Sequence, residues 1–154
     1  MKTKTIKLPL TKDERNVLRQ HRFTLKDIMN MEPDFLSSIF NTAEDRARAL
    51  IALAEFQTIP TVGPRMAQSL VDLGYYSINE LKGKDGAALV NDLEQLYGYW
   101  EDPCVEDVFR LIVHYAEHGD QEKRWWHFTE ERKQYRSMHG YPTTRPAKAW
   151  NEVK

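Results

Sequence analysis

Cysteine is nearly absent from this chain of 154 residues, which contains only Cys104. One cysteine excludes a disulfide framework. The sequence also has no apolar run of 18 residues and no positively charged, apolar leader, so we expect no membrane span and a cytoplasmic location. A chain of this length can bury roughly 68–70% of its unfolded surface and needs neither a disulfide nor a metal to fold.

Catalytic signatures are equally scarce. The chain has no Ser/His/Asp arrangement, no glycine-rich phosphate loop and no suitably spaced carboxylate pair. His114-Tyr115-Ala116-Glu117-His118 does match the H-x-x-E-H pattern of some zinc hydrolases. A catalytic zinc needs a third protein ligand and a closed cleft, whereas these histidines also suit the negative end of a helix that stops at Gly119. We therefore expect no enzymatic activity and no required cofactor.

Charge is distributed unevenly, although the net charge is only −1. Residues 1–26 carry +6, residues 27–122 carry −12 and residues 123–154 carry +5. Basic ends thus flank an acidic middle, which would repel phosphate unless its carboxylates face elsewhere.

Helix caps and helical apolar spacing occur along the whole chain, and no strand pattern interrupts them. Thr11, Thr24, Thr42, Ser77, Asp85 and Asp102 are predicted caps, and Gly98 and Gly119 are predicted stops. Pro33 favours a helix reaching Phe40, and Thr129 one reaching about Met138. The sequence predicts an all-α fold.

The stretch from Phe56 to Ala67 predicts a helix end, a tight hairpin and a helix start. Pro60 and Pro64 exclude helix on either side of Val62, and Gly63-Pro64 suits a helix start that continues to Gly74.

The plan before the hairpin recurs after it. With a shift of 53 residues, Phe23–Ile28 aligns with Tyr76–Leu81 and Leu36 with Leu89, and a seven-residue insertion then brings Thr42 onto Asp102. We expect tandem helical units packed into one compact body, with a basic N-terminal arm (1–10), a helical domain (11–119) and an aromatic, basic C-terminal extension (120–154). Chance similarity between capped helices is the alternative.

The C-terminal extension mixes cations with rings in Lys123-Arg124-Trp125-Trp126-His127-Phe128. Such a composition suits stacking of single-stranded bases, but adjacent tryptophans more often pin an arm to a core, which is our expectation. Residues 140–146 predict an extended or disordered tail. Cys104, one turn into its helix, is expected to pack rather than to react.

The hairpin Ile59-Pro60-Thr61-Val62-Gly63-Pro64-Arg65-Met66-Ala67 resembles helix-hairpin-helix proteins in general. Over residues 11–146 the chain resembles the pathogenicity-locus family of small bacterial helix-hairpin-helix proteins. That resemblance is carried by Ala54–Pro60, Asp72–Ser77, Glu80–Gly86, Asp102–Arg110 and Trp125-Trp126. It implies a helical fold of the nucleic-acid-binding kind, but no particular reaction.

The hairpin is also the candidate binding site. Unpaired amides and the positive dipole end at the second helix favour a phosphate oxygen, so we predict sequence-independent contacts to nucleic-acid backbone. The predicted contact residues are Val62, Gly63, Pro64, Arg65, Met66, Lys82 and Lys84, aided by the basic ends. DNA-binding hairpins usually read Gly-x-Gly, and here Thr61 replaces the first glycine.

Related hairpins hold a monovalent cation on main-chain carbonyls. By spacing from Gly63, that resemblance implies the carbonyls of Gln57, Ile59 and Val62. Two hypotheses for function remain. The first is a non-enzymatic module bound to DNA backbone, and the alternative is a structural or protein-interaction module with a protein partner and no nucleic acid.

Overall fold

The computed structural model describes residues 5–153, and its regular structure in that range is helical apart from one isolated bridge between Trp100 and Ala149. The α-helices are α1 (Lys12–His21), α2 (Leu25–Ile28), α3 (Pro33–Phe40), α4 (Glu44–Phe56), α5 (Pro64–Asp72), α6 (Gly86–Tyr97), α7 (Pro103–His118), α8 (Thr129–His139) and α9 (Trp150–Val153). Two 3-10 helices span Ile78–Leu81 and Trp125–Phe128. None of these helices is both long enough and apolar enough to cross a bilayer. The predicted all-α class is confirmed.

The chain divides into two compact units, one ending at Glu80 and the other beginning at Leu81. In the first unit, Thr11 and Thr24 form the predicted capping boxes with Glu14 and Asp27. The predicted cap at Thr42 is wrong by one residue, because Ala43 precedes α4 and supplies no side-chain bond. Thr42 instead exchanges hydrogen bonds with Ser37 and belongs to the end of α3.

Helix α4 forms the centre of the first unit. Its inward residues are largely small or aliphatic and lie against α2, α3 and α5. Ala47, Ala52 and Ala54 are fully buried, so neighbouring helices approach its backbone closely. The turn that follows α4 therefore starts from a rigid support.

The N-terminal segment packs on the first unit over the residues that the structure describes. Ile6 and Leu8 are buried, and Arg46 donates to the Pro9 carbonyl while pairing with Glu14. Residues 5–10 are thus part of the packed unit. Lys2 and Lys4, two of the basic residues of the predicted N-terminal arm, lie outside the described range.

In the second unit, α6 and α7 pack against each other. Asp85 and Asp102 cap them, and they end at Gly98 and Gly119, as predicted. They approach closely at Gly86, where an added Cβ would lie 2.6 Å from Arg110 Cγ and 3.0 Å from the Arg110 backbone. Glycine at this position is required by packing.

The C-terminal segment is ordered, so the disordered form of the predicted tail is wrong. Arg145 forms an ion pair with buried Glu94, and the bridge to Ala149 is flanked by hydrogen bonds from Trp100 N–H to the Lys148 carbonyl and from Trp150 N–H to the Trp100 carbonyl. Proline and glycine exclude helix here, but side-chain pairing holds the irregular backbone in place.

Several helix positions in the two units lie 53 residues apart. Leu25–Ile28 and Ile78–Leu81 are both four-residue helices, and Pro33 and Gly86 both open the next helix. Buried residues recur at the same spacing: Ile28 with Leu81, Leu36 with Leu89, and Phe40 with Leu93. This spacing agrees with the alignment, while the interpretation as tandem units stays a prediction.

Candidate functional site

The Gly63 turn, residues 57–63, connects α4 to α5. Ile59 and Val62 are fully buried, and the Val62 amide donates to the Ile59 carbonyl at 3.1 Å. Pro64 is the first residue of α5, as predicted. Two buried anchors and one internal hydrogen bond thus fix how the turn presents α5.

The start of α5 is open. Gly63 precedes the helix with φ of −98°, which any residue adopts, and an added Cβ would meet no atom within 4 Å. No side chain caps this helix, and Arg65 and Met66 lie in the first turn, where helix geometry offers their amides no acceptor. Neither backbone conformation nor packing requires glycine at position 63, so its effect is to leave the helix start accessible.

A cavity of about 370 Å³ borders this helix start. Its lining residues come from the N-terminal segment, α4 and α5: Lys7, Leu8, Pro9, Leu53, Pro64, Arg65 and Gln68. None of them is acidic. Among the described residues, neither the Lys7 ammonium nor the Arg65 guanidinium has an ion-pair or hydrogen-bond partner. The local charge is therefore positive, although the surrounding sequence is acidic.

Gln57 holds the N-terminal segment at this cavity. Its side-chain amide accepts from the Lys7 N–H at 2.9 Å and donates to the Lys7 carbonyl at 2.8 Å. Gln57 is buried and also donates to the Leu53 carbonyl at 3.1 Å. The sequence predicted a role only for the Gln57 carbonyl, because a side-chain contact that spans 50 residues leaves no local signal.

The geometry of the Gly63 turn occurs three times among residues 5–153. In each case the carbonyl of a fully buried residue accepts a hydrogen bond from the N–H of the residue three positions later. A helix then begins two residues after that donor. These hydrogen bonds are Met31 N to Ile28 O at 3.1 Å, Val62 N to Ile59 O at 3.1 Å, and Lys84 N to Leu81 O at 3.2 Å. The residues before the helices are Glu32, Gly63 and Asp85. In the last of these, the Asp85 turn (residues 81–85), the Asp85 carboxylate already accepts a hydrogen bond from the first-turn amide of Ala87. Of the three turns, only the Gly63 turn therefore presents a helix start without a carboxylate before it.

Thr61 is the strained residue of the Gly63 turn. Its φ is +62°, a left-handed conformation that is rare for β-branched residues. Its Oγ1 is buried and has no hydrogen-bond partner among the described residues. In the equivalent place of the Asp85 turn stands Gly83, with φ of +75°.

Lys82 and Lys84, predicted to assist the hairpin, belong to the second unit. Lys84 lines a cavity of about 300 Å³ that is also lined by Asp85, Glu117 and Glu131. This cavity therefore has three carboxylates beside Lys84 and Arg110, whereas no acidic side chain lines the cavity beside Gly63.

The other candidate motifs have structural surroundings. His114 forms a hydrogen bond with Asp120 at 3.0 Å, and Glu117 accepts a hydrogen bond from the Gly83 amide. Within residues 5–153, no group of three or more His, Cys, Asp or Glu side chains is arranged to hold a metal. The hydrogen bond from His114 lowers the pKa of the Asp120 carboxyl. Burial raises the pKa of the Cys104 thiol to about 11, with Asp102 contributing, which accords with a packing role.

The paired tryptophans differ from each other. They lie in the 3-10 helix that contacts α7, with Trp125 half-buried and Trp126 53% exposed. Trp125 therefore suits the anchoring role expected of the pair, whereas Trp126 is open to solvent.

Buried ion pairs in the second unit were missed by sequence reasoning. Asp107 is fully buried and binds Arg132 at 2.8 Å, and Glu106 binds both Arg110 and Arg136. The pair with Asp107 raises the pKa of Arg132. Basic residues of the C-terminal segment thus neutralise part of the acidic middle, and the opposite charges of these segments were the only signal in the sequence.

Comparison with known proteins identifies the family. The family model described as Pathogenicity locus (Cdd1) matches residues 50–134, which include the Gly63 turn and the Asp85 turn. The chain is 30% identical over 88 residues to a protein named mitomycin resistance protein McrB from Streptomyces lavendulae, covering 57% of this chain and 83% of that protein. No solved structure matches significantly. The chain belongs to the pathogenicity-locus family.

Proposed function

We propose that α4, the Gly63 turn and α5 form a helix-hairpin-helix element that binds nucleic-acid backbone without sequence specificity and without catalysis. The supporting observation is the open start of α5. It has no capping side chain and no acidic neighbour in its cavity, and two unpartnered cations lie beside it. A phosphate oxygen bound there would accept hydrogen bonds from the Arg65 and Met66 amides, and the positive end of the helix dipole would stabilise its negative charge.

The charge distribution also favours this hypothesis over a module that binds only protein. Asp107, Glu106 and Glu94 are buried in ion pairs, so they contribute little field outside the second unit. The charge of −12 on residues 27–122 therefore repels phosphate less than the sequence alone suggests. We further propose that the Asp85 turn is a second, self-capped version of the element, as expected for tandem units.

We also propose that the Gly63 turn holds a monovalent cation on the main-chain carbonyls of Gln57, Ile59 and Val62. All three residues lie close together in the chain and are buried at the end of α4 and in the turn that follows it. Thermal unfolding in potassium chloride and in choline chloride at equal ionic strength tests it, and equal midpoints would remove the cation from the proposal.

The backbone contact is tested by copying the Asp85 cap onto the Gly63 turn. Gly63→Asp should fold normally, since a Cβ meets nothing there, and its carboxylate should cap α5 and repel phosphate. Gly63→Asn caps without charge and is the matched control. Fluorescence anisotropy with a labelled duplex should show roughly tenfold weaker binding for Gly63→Asp than for Gly63→Asn, at equal thermal stability.

Salt dependence gives a second measure. Each phosphate contact contributes a slope of roughly −0.9 in log K against log salt on duplex DNA, so Gly63→Asp should reduce the slope by about one. Wild-type protein that binds neither duplex nor single strand at low salt would refute the proposal. Equal binding by wild type and Gly63→Asp would move the contact away from this turn.

A further inference from the structure

The cavity beside Gly63 has a feature that backbone contact does not use. Its floor is apolar, formed by buried Leu8 and Leu53, and the rings of Pro9 and Pro64 line it. A phosphate gains nothing from such a surface, whereas a planar apolar group gains by leaving water. Small-ligand sites combine mainly apolar walls with a few polar groups in volumes of about 300–1,000 Å³.

The polar groups of the cavity indicate the charge of its ligand. Lys7 and Arg65 are exposed cations without partners among the described residues, and no acidic side chain lines the cavity. Gln68 donates from Nε2 to Asp72 at 2.9 Å, which leaves its carbonyl oxygen as an acceptor at the wall. An anionic ligand with a flat body and a donor on its edge fits this combination, and a nucleotide has all three properties.

The cavity is continuous with the proposed phosphate contact, because Pro64 and Arg65 both line it and form the first turn of α5. A phosphate at that turn places its own nucleoside beside the apolar floor. A base paired within a duplex is stacked and cannot enter, whereas an unpaired base can.

We propose that this cavity receives the base of an unpaired nucleotide whose phosphate is bound at the start of α5, so that the protein prefers interrupted DNA over continuous duplex. This inference rests on the proposed function. The preferred ligand is a strand with a gap or an open end.

The test compares two DNA molecules of the same sequence, a closed dumbbell duplex and the same dumbbell with a three-nucleotide single-stranded gap. Wild-type protein should bind the gapped form at least tenfold more tightly in anisotropy titrations. Gln68→Trp fills the cavity from an exposed position on α5 and should lose the preference while still binding the closed form. Gln20→Trp, at an exposed position of α1 outside the cavity, should keep the preference for the gapped form.

Lys7→Glu is a second variant, in case Gln68→Trp alters folding. Its main-chain bonds to Gln57 do not involve the side chain, so the segment should stay in place while the preference falls. Equal wild-type affinity for both DNAs would overturn the inference and leave backbone binding intact. A preference that survives in folded Gln68→Trp would also overturn it, whereas no binding to either DNA would refute the proposed function itself and the inference with it.

Discussion

Replacing Thr61 by glycine should stabilise the protein, contrary to the usual effect of glycine substitutions. Thr61 has φ of +62° and a buried hydroxyl without a partner in the described part of the chain. The left-handed conformation costs a non-glycine residue about 1–2 kcal/mol, and an unsatisfied buried hydroxyl costs about 1–3 kcal/mol. Thr61→Gly removes both costs.

Two terms oppose this gain. Glycine loses more backbone freedom on folding, worth about 0.5–1 kcal/mol, and the lost methyl group is worth about 0.8 kcal/mol when buried. The balance is a net stabilisation of about 1–2 kcal/mol, which for a chain of this size raises Tm by about 2–8 °C. The free energy of unfolding is measured by urea titration, and Tm by circular dichroism.

Thr58→Gly is the matched control within the same turn. The Thr58 hydroxyl donates to the Glu55 carbonyl at 2.6 Å, and its φ is not positive, so glycine there removes a bond and relieves no strain. A loss of about 1 kcal/mol is expected. Thr61→Gly destabilising the protein as much as Thr58→Gly would refute the strain described for this turn.

Three further predictions concern the second unit. Arg132→Met should lower the free energy of unfolding by about 3–5 kcal/mol in urea titrations, because fully buried Asp107 loses its cation, and a loss below about 1 kcal/mol would contradict that pairing. With a pKa of about 11 against 9.0 in the unfolded chain, Cys104 should react with iodoacetamide at pH 8 on the order of a hundredfold more slowly in the native protein than in denaturant, as mass spectrometry can follow. His114→Ala should raise the pKa of the Asp120 carboxyl in an NMR titration. Because folding lowers that pKa, the pair stabilises the protein at pH values above the ordinary pKa of 3.8, and this contribution is lost as the pH falls through the folded-state pKa. An unchanged pKa in the variant would show that the hydrogen bond is not formed in solution.

Local signals predicted the helices well. Thr11, Asp85 and Asp102 cap the helices they precede, and Gly98 and Gly119 end them, because capping depends on neighbours within one turn. Thr42 failed as a cap because its backbone bonds to Ser37, a competition that spacing alone does not reveal.

The sequence predicted the position of the candidate site but not the cavity beside it or the positive charge of that cavity. Proline and glycine placed the turn and the first residue of α5, since both restrict backbone locally. The positive cavity was not predictable, because it depends on Gln57 holding Lys7 across 50 residues of sequence. Likewise, the sequence predicts Lys84 at this site, whereas in the structure it lines a different cavity together with Asp85, Glu117 and Glu131.

The arginines of the C-terminal segment bear on where the functional protein ends. The family model stops at residue 134, but Arg136 and Arg145, which bind buried Glu106 and Glu94, lie beyond it. A chain shortened to the shared region would leave buried Glu94 without Arg145 and would leave Glu106 with Arg110 alone, so it should be much less stable than the longer chain. For this protein, the limit of recognisable sequence similarity is therefore not the limit of an independently stable molecule.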